Sequence, residues 1–315
     1  MKRIVALSGG VGGAKLALGL SRVMPAGALT VVANTGDDFD HLGLRICPDI
    51  DTLMYVLAGL DDRERGWGRA GETWGFMDAL KEMGGPAWFQ LGDADLATHV
   101  LRTQRLARGQ TLAEVTREFL QRLDVATHLL PMSNDPVRTQ IRTGGNWIDF
   151  QDYFVRQRCE PVVQELRFQG AESAQPHPGV LAELLAPGLH AVVICPSNPF
   201  LSIAPILALS GMREALRASG APVIAVSPII GGQAVKGPTA KLMKEFGLPA
   251  SATGVAAYYG DLIDIFVADQ EDANASFPQA ANTVFRQTWM KTMDDREVLA
   301  RAVLALADEW RSARA

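Results

Sequence analysis

The stretch Arg3-Ile4-Val5-Ala6-Leu7-Ser8-Gly9-Gly10-Val11-Gly12-Gly13-Ala14-Lys15 runs from a short apolar segment into a glycine-rich loop, then into a helical pattern extending to Val23. The same grammar returns three times. Leu29–Ala33 leads into Asn34-Thr35-Gly36-Asp37-Asp38, His190–Cys195 into Pro196-Ser197-Asn198-Pro199, and Pro222–Val226 into Ser227-Pro228-Ile229-Ile230-Gly231-Gly232. Short, continuously apolar runs read as strands buried on both faces, which means a parallel sheet with helices on each side. In such folds a ligand sits beyond the carboxyl ends of the strands, where these four polar loops converge.

The middle of the chain reads differently. Trp74–Met83 and Leu96–Arg108 are helical patterns, and Thr111-Leu112-Ala113-Glu114 is a capping box opening a helix to about Leu123. Val137–Thr143 alternates, Gly144-Gly145-Asn146 turns, and Trp147–Phe154 alternates back, predicting a β-hairpin. The expected fold is therefore α/β: a parallel, Rossmann-like sheet flanked by helices, with a smaller inserted cap containing helices and the hairpin. Residues 1–60 and 181–315 are expected to form the core and 61–180 the cap packed on it. Asp295–Arg311 is an amphipathic helix.

Composition narrows the function. The 315 residues are 48% hydrophobic and 21% charged with a net charge of −5, a balance that suits a globular protein and argues against a nucleic-acid or anionic-membrane binder. Cys47, Cys159 and Cys195 are too far apart for a disulfide framework or a CxxC metal site, which predicts a reducing, cytoplasmic setting. No run approaches ~18 uninterrupted apolar residues, so no membrane span is expected, and the N-terminal apolar segment is too short for a signal peptide.

Four loops carry candidate chemistry. Gly9, Gly10, Gly12 and Gly13 follow a strand and open a helix, where backbone N–H groups favour an anion and bare glycines admit a phosphate; Lys15 follows closely. The loop is neither a Walker A motif, since Leu16 follows Lys15, nor GxGxxG; a tight turn without ligand is the alternative. Asp37, Asp38, Asp40, Asp49 and Asp51 crowd the second loop region and can hold a hard cation such as Mg²⁺ or supply a base. The alternative is that Asp49 or Asp51 merely caps the helix that follows. Ser197-Asn198-Pro199 offers a hydrogen-bonding side chain after a strand, and Gly237-Pro238-Thr239-Ala240-Lys241 reads as a helix start with Lys241 placed to meet an anion. No histidine pair has metal spacing, and no nucleophile elbow is present. The residues alone thus point to an α/β enzyme that binds a phosphorylated or nucleotide ligand, with a divalent metal and no covalent nucleophile.

Several of these segments together resemble the CofD transferase family, which includes the FbiA proteins, of coenzyme F420 biosynthesis. The resemblance rests on Ser8–Leu16, Asn34–Asp38 with Cys47–Thr52, Leu91–His99, Leu130–Val137, Pro196–Pro199, Val226–Gly232, Gly237–Leu242 and Gly254–Tyr259, in order and at compatible spacing. Ala94 departs from the pattern, standing where the family commonly has Arg.

The resemblance implies transfer of a phosphorylated three-carbon acid (phospholactate, phosphoenolpyruvate or phosphoglycerate) from its guanosine diphospho-diester to the ribityl hydroxyl of the deazaflavin Fo. GMP leaves, Mg²⁺ is required, and a homodimer is usual. On that footing Asp37, Asp49 and Asp51 are the expected catalytic and metal-binding residues. Gly9, Gly10, Gly12, Gly13, Lys15, Ser197, Asn198, Thr239 and Lys241 would bind the donor or GDP. Asn34, Asp51, Asp93 and Trp88 would meet Fo, with Trp147 and Tyr153 as further aromatic candidates. A nucleotide-sugar-binding regulatory protein sharing the α/β core, or another nucleotide-dependent phosphotransferase, is the competing expectation.

Overall fold

The computed structural model describes residues 2–235, 237–277 and 282–314. Its centre is a seven-stranded sheet. β1 (Arg3–Ser8) and β2 (Leu29–Ala33) come first, and the antiparallel pair β3 (Phe39–His41) and β4 (Leu44–Ile46) stands outside the sheet. β5 (His128–Pro131) rejoins it. β6 (Arg138–Thr143), β7 (Asn146–Asp149) and β8 (Glu165–Gln169) form a separate antiparallel sheet. β9 (Leu189–Ile194) and β10 (Val223–Val226) return to the centre, β11 (Ile229–Ile230) and β12 (Gln233–Ala234) form a small hairpin, and β13 (Ile265–Asp269) and β14 (Asn282–Arg286) complete the set. The central order is β14-β13-β10-β9-β1-β2-β5, and every pairing in it is parallel.

The apolar runs alternate between two cores. Ile4 and Ala6 of β1 face one side, against α1 (Gly10–Val23), α2 (Pro48–Ala58) and, further along the chain, the C-terminal helix. Val5 and Leu7 face the other side, where the hairpin's Val137 and Ile141 also pack. Both faces are thus buried, the condition under which a strand carries no polar alternation.

Around this frame lie α3 (Gly75–Glu82), α4 (Asp93–Ala107) and α5 (Leu112–Arg122), then α6 (Pro178–Leu184), α7 (Ala204–Leu207), α8 (Met212–Ala218), α9 (Thr239–Glu245), α10 (Ala252–Tyr259) and α11 (Met293–Ser312). The capping box is formed: Thr111 Oγ1 accepts from Glu114 N at 3.3 Å and Glu114 Oε2 accepts from Thr111 N at 2.8 Å. The hairpin turn is Gly144-Gly145 alone, both residues at positive φ (54° and 82°), the signature of a two-residue turn matched to strand twist. β7 stops at Asp149 and the chain turns helical at Phe150, so the returning strand is shorter than the alternation predicts.

Two features of the middle segment were not legible in advance. β8 adds a third strand beside β6, and β5, inside residues 61–180, is the edge strand of the central sheet. That segment therefore supplies part of the core as well as the hairpin. No helix among the described residues is long and apolar enough to cross a membrane.

The strand order fixes the site. The chain moves outward from β1 through β2 to β5, then returns to β9 on the other side of β1. The helical segments that follow β1 and β9 consequently pack on opposite faces of the sheet, opening a crevice at its carboxyl edge.

Candidate active site

That crevice opens into a cavity of about 700 Å³ lined by residues from all four loops. Its floor is the contact between the first and third. Ser197 Oγ donates to Gly9 O (2.8 Å) and accepts from Gly9 N (3.1 Å). A Cβ on Gly12 would lie 2.5 Å from the Pro196 carbonyl oxygen, and one on Gly13 would strike Ser197 Oγ and Ser8 Oγ. A Cβ on Gly9 would strike Asp49 Oδ2 and Ser202, so three of the four glycines are demanded by close approach of neighbouring chain. Gly10, at φ +62°, turns the chain into α1 and lines the cavity.

The first-turn amide of Gly10 is already engaged. Asp49, in the first turn of α2 behind Pro48, accepts from Gly10 N through Oδ1 at 2.6 Å and from Asn34 Nδ2 through Oδ2 at 2.9 Å. Asn34 is fully buried; it also donates to Leu201 O (3.2 Å) and accepts from Gly36 N (2.8 Å). Burial pushes the Asp49 carboxyl up to about 6, against the pull of the Asn34 and Gly10 bonds. Burial raises Asp37 well above the carboxylate range, and the charge of Asp49 raises it further. Asp37 Oδ1 is buried without a hydrogen-bond partner, and both carboxyls line the cavity. Two crowded carboxylates with an unsatisfied oxygen are an oxygen-donor set that fits a hard divalent cation, and one able to hold a proton near neutrality.

Asp51 belongs to a different cluster. Both its oxygens are engaged by Arg102, with Nη2 on Oδ1 and Nη1 on Oδ2, the latter at 3.1 Å. Both side chains are almost fully buried. His99 Nδ1 lies 3.7 Å from Asp51 Oδ2, and His99 Nε2 lies 3.2 Å from Asp95 Oδ2. Tyr55 donates from its hydroxyl to Asp95 Oδ1 at 2.6 Å. Burial alone would raise the Asp95 carboxyl, but His99, Tyr55 and Arg102 bring it below its ordinary value. Burial lifts the Tyr55 phenol, and the neighbouring carboxylates lift it further.

The expected trio is thus divided: Asp37 and Asp49 meet at the glycine loop, while Asp51 is held by Arg102. Among the described residues, Asp51, Asp95 and His99 also bring ligand atoms within 4.8 Å of one another, but the guanidinium on Asp51 opposes a cation there.

The remaining expected residues separate into those at the cavity and those away from it. Lys15, Ser197, Asn198 and Thr239 line it. Asn198 spends its side-chain oxygen on Phe200 N (2.9 Å) and Leu201 N (3.1 Å), capping the helical turn that follows. Lys241 does not line the cavity; its ammonium is held by Glu245 (2.5 Å), Pro161 O (2.7 Å) and Tyr153 OH (3.2 Å). Asp93 is also outside it, tying the α3 start to α4 by accepting from Thr73 Oγ1 (2.6 Å) and the amides of Gly75 and Phe76 (3.0 Å each). Ala94, the departure noted above, is exposed in the next position, its N–H donating to Glu72 at 2.8 Å.

Trp88 packs edge-on against His41 and Phe89, Trp147 lies under Arg167, and Tyr153 is buried; none of the three lines the cavity. The aromatic residues that do include Trp67, Phe89, Phe150, Phe154 and Trp289. The signal for the α4 cluster was present: Asp95, His99 and Arg102 follow i, i+4, i+7 spacing and share one helix face. The glycines on either side of Trp67 were the corresponding sign for that ring.

Crowded carboxyl oxygens at a glycine-rich helix start, facing a roomy crevice at the switch point, suit an enzyme that handles phosphorylated ligands. The family model described as 2-phospho-L-lactate transferase CofD matches residues 4–307, and the chain belongs to that family. A phosphoenolpyruvate transferase of Kitasatospora aureofaciens is 43% identical over 319 aligned positions, covering 98% of this chain and 99% of the relative. A 2-phospho-L-lactate transferase of Methanosarcina mazei is 40% identical, with coverage of 87% and 89%. The fold is shared with a UPF0052-family protein of Bacillus halodurans, with a TM-score of 0.62 at 14% identity over 96% of this chain and all of that one.

Proposed function

We propose that this transferase moves a phosphorylated three-carbon acid from its guanosine diphospho-diester to the terminal ribityl hydroxyl of Fo, releasing GMP, within coenzyme F420 biosynthesis. The observation that carries the reading is the meeting of Asp37 and Asp49 with the glycine loop at the mouth of the β1–β9 crevice. The donor is assigned as the phosphoenolpyruvyl form, because relatives aligned over nearly the whole chain carry that name at 40–43% identity.

Displacement at phosphorus asks a protein mainly for positioning and for control of charge. The start of α1 receives the donor's phosphates, and Ser197 fixes that loop against β9. One member of the Asp37–Asp49 pair accepts the proton of the attacking hydroxyl; a carboxyl whose proton affinity is raised towards neutrality is suited to this. Mg²⁺, held by the same pair, would supply charge stabilisation to the transferred phosphoryl oxygens. Asp51, fixed by Arg102, presents a rigid charged group to the acceptor side.

The test is product analysis. The enzyme is incubated with Fo, Mg²⁺ and each of the enolpyruvyl, lactyl and glyceryl diphospho-guanosines, and the products are identified by mass spectrometry. The enolpyruvyl adduct of Fo with stoichiometric GMP is expected. Exclusive formation of the lactyl or glyceryl adduct overturns the donor assignment; failure with all three overturns the reaction.

A further inference from the structure

Four of the large apolar side chains left exposed by the fold, Trp67, Phe154, Val235 and Trp289, stand together at the cavity. Scattered exposed apolar residues need no explanation, but a group around one opening marks a surface to be covered by a ligand. Trp289 is set apart by what holds it. On one side Thr288 is buried, its N–H and hydroxyl donating to Asp269 at 2.7 and 2.9 Å. On the other side Met290 is buried, and its carbonyl accepts from Lys15 Nζ at 3.0 Å. Lys15 belongs to α1, so the indole is tied to the glycine-loop helix through one lysine side chain. The Lys291 ammonium lies 3.6 Å from the ring centroid, a cation–π contact that orients the ring. Trp289 is nevertheless 44% exposed: a rigidly mounted aromatic face lining the cavity, tied to the helix that the glycine loop opens. Trp67 is anchored elsewhere, through Arg65, which lies 5.0 Å from its ring and 4.8 Å from that of Trp74.

Resting on the guanosine donor proposed above, we propose that Trp289 is the stacking platform for the purine base of that donor. A diphosphate seated at the start of α1 leaves the attached nucleoside to extend over a neighbouring surface, and the tether from Lys15 makes the Trp289 segment that neighbour. An indole offers a π face to any purine, so the residue sets how tightly the base is held.

The experiment is calorimetric titration with GDP and with inorganic pyrophosphate, in Mg²⁺, of the wild-type chain, Trp289→Ala, Trp289→Phe and Trp67→Ala, each checked for an unchanged thermal midpoint. Loss of one stacking contact should weaken GDP binding by about tenfold or more in Trp289→Ala, while Trp289→Phe stays within about threefold of wild type. Pyrophosphate, which has no base, should bind both Trp289 variants as it binds the wild type, and Trp67→Ala should leave GDP affinity unchanged. GDP affinity retained in Trp289→Ala, a parallel loss of pyrophosphate, or a loss of GDP confined to Trp67→Ala overturns the assignment. Wild-type protein that ignores GDP overturns the donor reading itself, which separates the two failures.

Discussion

Asp49 and Asp51 stand two residues apart in the first turn of α2, yet Asp49 is bonded to the amide of Gly10 and Asp51 to the guanidinium of Arg102. One carboxylate is thereby placed on the glycine loop and the other is made part of a buried ion pair.

The ion pair should be visible in stability. Arg102→Met or Asp51→Asn alone leaves a buried charged partner uncompensated and should cost about 3–5 kcal/mol of unfolding free energy. The double variant should recover a large part of that loss, as coupled neighbours do. Urea denaturation of the four proteins checks this; losses that simply add would refute the coupling.

Asp49→Asn should behave differently. It keeps an acceptor for Gly10 N and removes a charge that burial disfavours, but it turns an amide donor onto Asn34 Nδ2, so the two effects oppose each other and stability at neutral pH should change little. If Asp49 acts on the transferred proton or metal, kcat should fall by about 10²-fold or more. Steady-state turnover of Fo, with a melting curve alongside, tests both halves.

The pH dependence of stability follows from raised carboxyls. Asp49 sits at about 6 and Asp38 at about 7, each against an ordinary 3.8 and each raised by burial. The folded state therefore binds protons more tightly than the unfolded chain between those values. Their contribution to stability is full below pH 3.8 and is lost as pH rises through 6 to 7. Metal-free unfolding curves across that range should show the decline, and Asp49→Asn should flatten its lower part.

Metal removal gives a further check. With Asp37 and Asp49 as ligands, Mg²⁺ at about 100 times its Kd should stabilise the wild type by about 2.7 kcal/mol, an effect reversed by EDTA. Asp37→Asn should abolish most of the increment, whereas Lys241→Ala, altered well away from the acid pair, should retain it.

Gly12→Ala probes the loop contact. The new Cβ would meet the Pro196 carbonyl at 2.5 Å, forcing the β1 and β9 loops apart. A stability loss of about 1–3 kcal/mol is expected, with weaker GDP binding in the same variant.

The strands of the parallel sheet were readable because runs such as Ile4–Leu7 are buried on both faces and show no polar interruption. The glycine loop was readable for the same physical reason that it works: Gly12 and Gly13 have no space for a Cβ. What escaped the sequence was long-range pairing. Nothing local in His128–Pro131 announces an edge strand, and its partner β2 lies far back in the chain. Within the site, the nearness of Asp49 to Asp51 suggested one ligand set, but Arg102, half a hundred residues on, decides otherwise. Lys241 likewise stands at a helix start, yet Glu245 one turn later captures it. Proximity in sequence showed which groups were polar; only packing determined which of them share solvent, charge and substrate.

The pairing of β1 with β9 also has a kinetic meaning. The two strands are separated by more than half the chain, so their ladder closes a very long loop and belongs to the slow, non-local part of folding. During synthesis β1 can find β2 early, but its other edge stays open until β9 is made. The crevice does not exist before that moment. A growing chain thus carries its glycine loop for most of its synthesis without a binding site, and whatever the crevice binds can act as a folding ligand only once β9 is in place.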